Sequence, residues 1–260
     1  MKLRLLIAAI TLALPHPACA QERDFCASRP GLGTPACTMA PGTLMVETGI
    51  AGWEHTRDSS SAEDNVTLGD FLLRLGVSDR TELQLGFGGW QHQRVHDSTG
   101  VSSGHGIGDI LLGFRHGLAG PNGPVAVQGF ITLPTGTGTA TAGDWGAGLL
   151  LSAGKNLPGG FEIDVTPEID AAVNGSGKGR HLAWGGVLGL SHPLGQSVSL
   201  TGELAAFRDQ DPDGASTDAR AALSLAWQAG RNVQFDLEAD AGLANGAPRR
   251  ALLVGFARRF

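Results

Sequence analysis

The sequence predicts an all-β chain: a single closed antiparallel transmembrane β-barrel of about twelve strands, with short periplasmic turns and longer extracellular loops. Three observations lead there. From residue 43 to the end, apolar and polar residues alternate with a period of two in stretches of about ten. The links between these stretches are alternately short and long. Beyond the first twenty residues, no apolar run approaches the ~18 residues of a membrane helix, so any membrane crossing has to be made by strands.

The first element, residues 1–20, reads as a cleaved signal peptide. Lys2 and Arg4 precede the apolar run Leu5–Leu14, Pro15 and Pro17 break it, and Ala18-Cys19-Ala20 offers a small-residue cleavage site. Residues 21–42 come next, a periplasmic N-terminal segment or a plug for the lumen. They contain Pro30, Pro35 and Pro41 and show no strand pattern. Export to an oxidising compartment makes a Cys26–Cys37 disulfide the expected fate of the two remaining cysteines.

The barrel itself is assigned to residues 43–260. The period is clearest in VQFDLEADAGL (233–243), where Val233, Phe235, Leu237, Ala239, Ala241 and Leu243 share one parity and Gln234, Asp236, Glu238 and Asp240 the other. A helix would scatter both sets around its circumference, whereas a strand separates them onto two faces. The same pattern gives strands near 43–53, 66–76, 81–91, 107–116, 124–134, 145–155, 161–172, 182–192, 197–207, 217–227, 232–243 and 250–260. Each is close to the ~9–11 residues of a tilted membrane strand. Short links such as Val77–Arg80 and Pro193–Gln196 alternate with longer ones such as Glu54–Asn65, His92–Gly106 and Thr135–Asp144, the pattern of an outer-membrane barrel. Asp79 is placed to cap the first short turn, and Pro134 to end a strand. An even strand number puts both termini on the short-turn side.

The period alone leaves open which face is inside. A soluble sandwich or water-filled barrel would put the apolar parity inward. A membrane barrel puts it outward, and the position of Trp near strand ends favours this. On that orientation Trp145, Trp184 and Trp227 point to lipid, and Trp53 and Trp90 share the polar parity and point to the lumen. The acidic side chains of the inward parity are Glu47, Asp70, Glu82, Asp109, Glu162, Asp164, Glu168, Asp170, Glu203, Asp218, Asp236, Glu238 and Asp240. The basic ones are Arg74, Arg115 and Arg220, with Arg259 at the rim. Thirteen acids against four bases predict an acidic lumen that favours cations.

Composition narrows the function. The net charge is −6, with no basic run, which argues against a nucleic-acid partner. Glycine is 40 of 260 residues, about twice the usual ~7%. No catalytic spacing, cofactor motif or metal-ligand cluster is legible. A barrel enzyme acting on lipid would need Ser and His together on the outer wall; His116 and His192 have that parity, without a matching Ser and carboxylate. A structural or adhesive barrel would present longer loops than these.

Four phrases carry a resemblance: SRPGLGTPACTMAPGTLMVETGIAGWE (28–54), DFLLRLGVSDRTELQLGFGGW (70–90), GIGDILLGFRHGL (106–118) and FITLPTGTG (130–138). In order and spacing, they resemble the family named "Putative MetA-pathway of phenol degradation". The resemblance runs from about Cys26 to Phe260, and the closing ALLVGFARRF is similar to the last strand of outer-membrane proteins, where the terminal aromatic is read by the barrel-assembly machinery. It implies an outer-membrane channel or transporter of a Gram-negative bacterium, not an enzyme. Its solute would be a small molecule of hydrophobic or aromatic type. The implied partners are outer-membrane lipid, the assembly machinery and that solute.

Overall fold

Alternation along the chain becomes one continuous antiparallel sheet. The computed structural model describes residues 23–120 and 122–260; the signal-peptide reading falls on residues 1–20, outside the described residues. The strands are β1 (Leu44–Arg57), β2 (Ser61–Ser78), β3 (Thr81–Phe87), β4 (Trp90–Asp97), β5 (Gly100–Ile107), β6 (Ile110–Gly117), β7 (Val125–Leu133), β8 (Gly146–Asn156), β9 (Glu162–Val173), β10 (Arg180–Pro193), β11 (Val198–Asp209), β12 (Ser216–Gln228), β13 (Val233–Gly242) and β14 (Arg250–Arg259). β1 hydrogen-bonds to both β2 and β14, so the sheet closes on itself and leaves no lateral edge at the seam.

Fourteen segments make twelve barrel strands. β3 and β4 lie along the same partner, β2, through Phe71↔Phe87 and Leu68↔Trp90. They are one strand interrupted at Gly88–Gly89. β5 and β6 are likewise one strand, interrupted at Gly108–Asp109 and facing β4 and β3. At the break, Gly89 has φ +70, and a Cβ there would lie 2.7 Å from the Leu68 carbonyl oxygen, so only glycine fits. Two links predicted as long loops are mostly strand: β1 and β2 turn within residues 58–60, and β4 and β5 turn at Ser98–Thr99.

Burial is inverted relative to a soluble protein. Leu83, Leu204, Leu223 and Leu237 are all more than half exposed, while Glu47, Arg74, Glu82 and Arg115 are at most 3% exposed. The apolar face is therefore the outside of the barrel, and lipid is the solvent it fits. Trp145, Trp184 and Trp227 stand on that outer face.

Trp53 and Trp90 stand there too, a correction to the parity count. Gly49 pairs with Gly255, but Ala51 pairs with Val254, so Ile50 is an extra residue in β1. One extra residue exchanges the two faces of a strand. Beyond it Trp53 lies opposite the outward Leu252, and Glu54 turns into the bore. Trp90 lies between the outward residues Leu68 and Ile107 and is 40% exposed. The first short turn also differs from expectation. Ser78 Oγ, not Asp79, accepts the Arg80 N–H at 3.4 Å, and the Asp79 carbonyl accepts from Arg23 at 2.8 Å. β7 ends at Leu133, immediately before Pro134, as proline's missing N–H requires. The two ends of the barrel meet where the Leu44 carbonyl accepts from Phe260 N–H at 2.8 Å.

Candidate functional site: the filled bore

A closed ring of strands surrounds a space that these inward side chains line. The stretch Cys26–Met39 lies within it. Its path follows from unpaired backbone N–H groups, each of which needs an acceptor once away from water. Ser28 and Arg29 N–H donate to the Glu47 carboxylate at 2.8 and 3.0 Å. Gly31 N–H donates to Glu238 at 2.7 Å. Leu32 and Gly33 N–H both donate to Glu203 at 2.8 Å, and Thr34 N–H donates to Thr166 Oγ1 at 3.2 Å. Met39 N–H donates to Glu82 at 2.8 Å. From Ser28 to Thr34 the segment thus passes β1, β13, β11 and β9, about half the ring.

Side chains complete the attachment. Arg29 Nε donates to Asp236 at 3.0 Å, and Gln234 Nε2 donates to the Arg29 carbonyl at 2.7 Å. Arg74, fully buried, donates to Glu82 through Nε at 2.7 Å and Nη2 at 2.9 Å, and to Glu47 through Nη1 at 3.0 Å. Its Nη1 also reaches the Cys26 carbonyl at 2.6 Å. Arg115 donates to Gln128 at 2.8 Å, to the Cys37 carbonyl at 3.2 Å and to Ser28 Oγ at 3.0 Å. Cys26 and Cys37 are disulfide-bonded. Cys26 packs with Met39, Met45 and Ala257 in a small apolar cluster at the base of the bore.

Close approach explains the composition of SRPGLG. A Cβ on Gly33 would lie 2.9 Å from Glu203 Oε1 and 3.2 Å from Asp164 Oδ1. Gly33→Val is expected to push the segment off Glu203, with increased protease access to residues 28–36 as the readout; unchanged protection would contradict the close packing.

The other inward residues form two groups. Glu162, Asp164 and Glu203 line a cavity of about 510 Å³ between the segment and β8–β9. Nearer the long-loop end, Arg220 is bonded to Asp218 and lies 3.5 Å from Glu54 and 3.7 Å from Asp240. Glu168 and Asp170 face the same region from β9. Asp109 is not a free lumen charge: its two oxygens accept from Gly136 and Ala142 N–H at 2.8 Å and hold the β7–β8 loop. On the outer wall, His116 Nδ1 is bonded to Thr81 Oγ1 at 2.9 Å and His192 Nε2 to the Gly159 carbonyl at 3.2 Å. Neither ring meets a serine there. Parity analysis missed Glu54, which the bulge hides, and Arg23 and Arg29, which belong to a segment with no period.

The same β7–β8 loop has a latch outside the membrane. Asp144 accepts from Gly179 N–H at 3.0 Å and from Trp145 N–H at 2.8 Å. These two N–H groups, the first above all, hold its carboxyl below the usual range. Arg180 lies 3.1 Å from Asp144 and stacks 3.8 Å over the Trp145 ring. A depressed carboxylate contributes fully above its unfolded pKa of about 3.9 and loses its contribution as pH falls through the lower folded value. Amide hydrogen exchange within residues 134–145, referred to the intrinsic rate at each pH, is therefore expected to stay slow down to about pH 4 and to rise below it. Loss of protection already near neutral pH would contradict the latch.

Fold and wall together define the class: a closed twelve-stranded antiparallel β-barrel whose place is the outer membrane. More narrowly, the chain belongs to the family described as "Putative MetA-pathway of phenol degradation", whose model matches residues 27–260. No curated protein matches the chain in sequence. Among solved structures, it is similar to an outer membrane channel from Pseudomonas putida F1, with 17% identity and a TM-score of 0.67 over 89% of this chain and 99% of that one. It is similar also to the translocator domain of the autotransporter NalP from Neisseria meningitidis (15%, 0.55, 85% and 90%). A monoaromatic hydrocarbon channel, CymD, shares the fold at 10% identity and a TM-score of 0.50, over 85% and 89% of the two chains.

Proposed function

We propose that the chain is an outer-membrane channel for small molecules of apolar or aromatic type, with residues 23–42 acting as an internal plug. The observation that carries this reading is the way the plug is held. Carboxylates Glu47, Glu82, Glu203 and Glu238, on four different strands, all accept its backbone N–H groups. A barrel that served only as a wall has no need of such a set. The family's description and the hydrocarbon-channel fold relative support the solute class. The cavity of about 510 Å³ beside the plug is of the size that takes small ligands, ~300–1,000 Å³.

Purified, refolded full-length protein in liposomes and planar bilayers tests this. Expected are faster uptake of a monoaromatic compound than of a sugar of similar mass, and a small ionic conductance. The reading is lost if neither the full chain nor a chain without residues 21–42 passes any solute or ion.

A further inference from the structure

At the long-loop end, His181 meets Asp209 and Asp211 on the inner side of the rim. His181 is the second residue of β10, Asp209 ends β11, and Asp211 lies in the loop that follows. The His181 side chain is only 5% exposed.

The hydrogen bonds around the imidazole decide its tautomer. Asn174 Nδ2 donates to the Lys178 carbonyl at 2.9 Å, which turns Asn174 Oδ1 toward His181 Nδ1, 3.0 Å away. An acceptor at that position requires Nδ1 to carry the proton. In the neutral imidazole Nε2 is then a bare lone pair. It is buried, it has no hydrogen bond of proper geometry, and Asp209 Oδ1 stands 2.7 Å from it. Two acceptors facing each other at that distance repel unless something positive lies at the site. Asp211 brings a second carboxylate: its Oδ2 lies 3.5 Å from Nδ1, and one ligand atom from each of the three residues lies within 4.8 Å of the other two.

Both carboxylates are already oriented. Asp211 N–H donates to Asp209 Oδ1 at 2.9 Å, while Gly175 and Asp213 N–H donate to Asp211 at 2.6 and 2.8 Å. Each carboxylate retains lone pairs for a further partner. A buried imidazole whose other nitrogen is fixed by a hydrogen bond, with two carboxylates beside it, is the arrangement that binds a transition metal. A neutral nitrogen ligand disfavours Mg²⁺ and Ca²⁺, which take oxygen.

We propose that His181, Asp209 and Asp211 bind one divalent transition-metal ion of the Zn²⁺ type, with water completing the shell. The ion ties the β9–β10 loop, which carries Asn174 and Gly175, to the β11–β12 loop, which carries Asp211. It fixes the shape of the channel mouth on that side. The site does not depend on the solute reading.

The test is calorimetric titration of the refolded, tag-free full chain in detergent with Zn²⁺, at about pH 7.5, a unit above the ordinary imidazole pKa. One ion per chain is expected. Asp209→Asn, nearly isosteric, should weaken binding at least tenfold, as should His181→Ala. Asn174→Ala, which removes only the orienting acceptor, should weaken it by about tenfold or more. Heat-modifiable gel mobility checks that each variant forms a barrel. Absence of binding by the folded wild-type chain overturns the proposal, because a proton on Nε2 then serves instead. So does equal binding by Asp209→Asn, which places the ion elsewhere. Ca²⁺ binding as tight as Zn²⁺ overturns the transition-metal assignment.

Discussion

Arg74→Met is expected to destabilise the folded barrel by about 3–5 kcal/mol, seen as a lower urea midpoint in detergent. Arg74 has no solvent exposure, and its guanidinium is shared between Glu82, Glu47 and the Cys26 carbonyl. Removing it leaves buried Glu47 without its counter-charge and Glu82 with Arg115 alone, 3.8 Å away. The cost is the desolvation of what remains, and the lost attraction is the smaller part. Arg74→Lys keeps the charge but loses the fork that bonds both partners at once, so it should fall between the two. Restoring neutrality with Glu47→Gln on the Met background, which leaves Glu82 paired with Arg115, should recover part of the loss. A midpoint unchanged by Arg74→Met would show that the cluster is hydrated and not buried.

Deleting residues 21–42 is expected to raise the single-channel conductance at least several-fold and to make the current strongly cation-selective. The segment occupies carboxylates: Glu47, Glu203, Asp236 and Glu238 are all bonded to it. Its removal also takes away Arg29 and Arg23. The bore then carries these acids together with Glu162, Asp164, Glu168 and Asp170 along β9, a strand with no basic residue. Negative walls around a water-filled path lower the barrier for cations. Reversal potentials in a salt gradient read the selectivity. An unaltered conductance would mean that residues 23–42 do not limit the path.

Much of this architecture could be read from alternation alone. The twelve stretches, the closed ring, the adjacent ends and the outward Trp145, Trp184 and Trp227 all follow from a period of two together with short and long links. What was hidden has physical causes. The extra residue Ile50 and the glycine breaks at Gly88–Gly89 and Gly108 exchange the faces of a strand, and a bulge in sequence looks like an ordinary lapse in alternation. Trp53, Trp90 and Glu54 were misplaced or missed for that reason. The course of residues 23–42 is set by backbone N–H groups, which every residue but proline has, so no side-chain pattern marks it. An acid excess counted along the strands took Asp236 and Glu203 as open charges; the structure has them bonded to the segment. His181, Asp209 and Asp211 sit at strand ends and in a loop, where parity says nothing.

Cross-linking tests most directly whether this segment threads a polar interior walled by outward apolar side chains. Thr34 N–H donates to Thr166 Oγ1 at 3.2 Å, and Thr166 Oγ1 in turn reaches the Thr34 carbonyl at 3.4 Å. The account predicts that Thr34→Cys with Thr166→Cys forms a disulfide under mild oxidation of the folded, membrane-inserted chain. Thr34→Cys with Val165→Cys, whose side chain faces lipid, should form none, as read by peptide mapping. Cross-linking to position 165 as readily as to 166, or to neither, would contradict it.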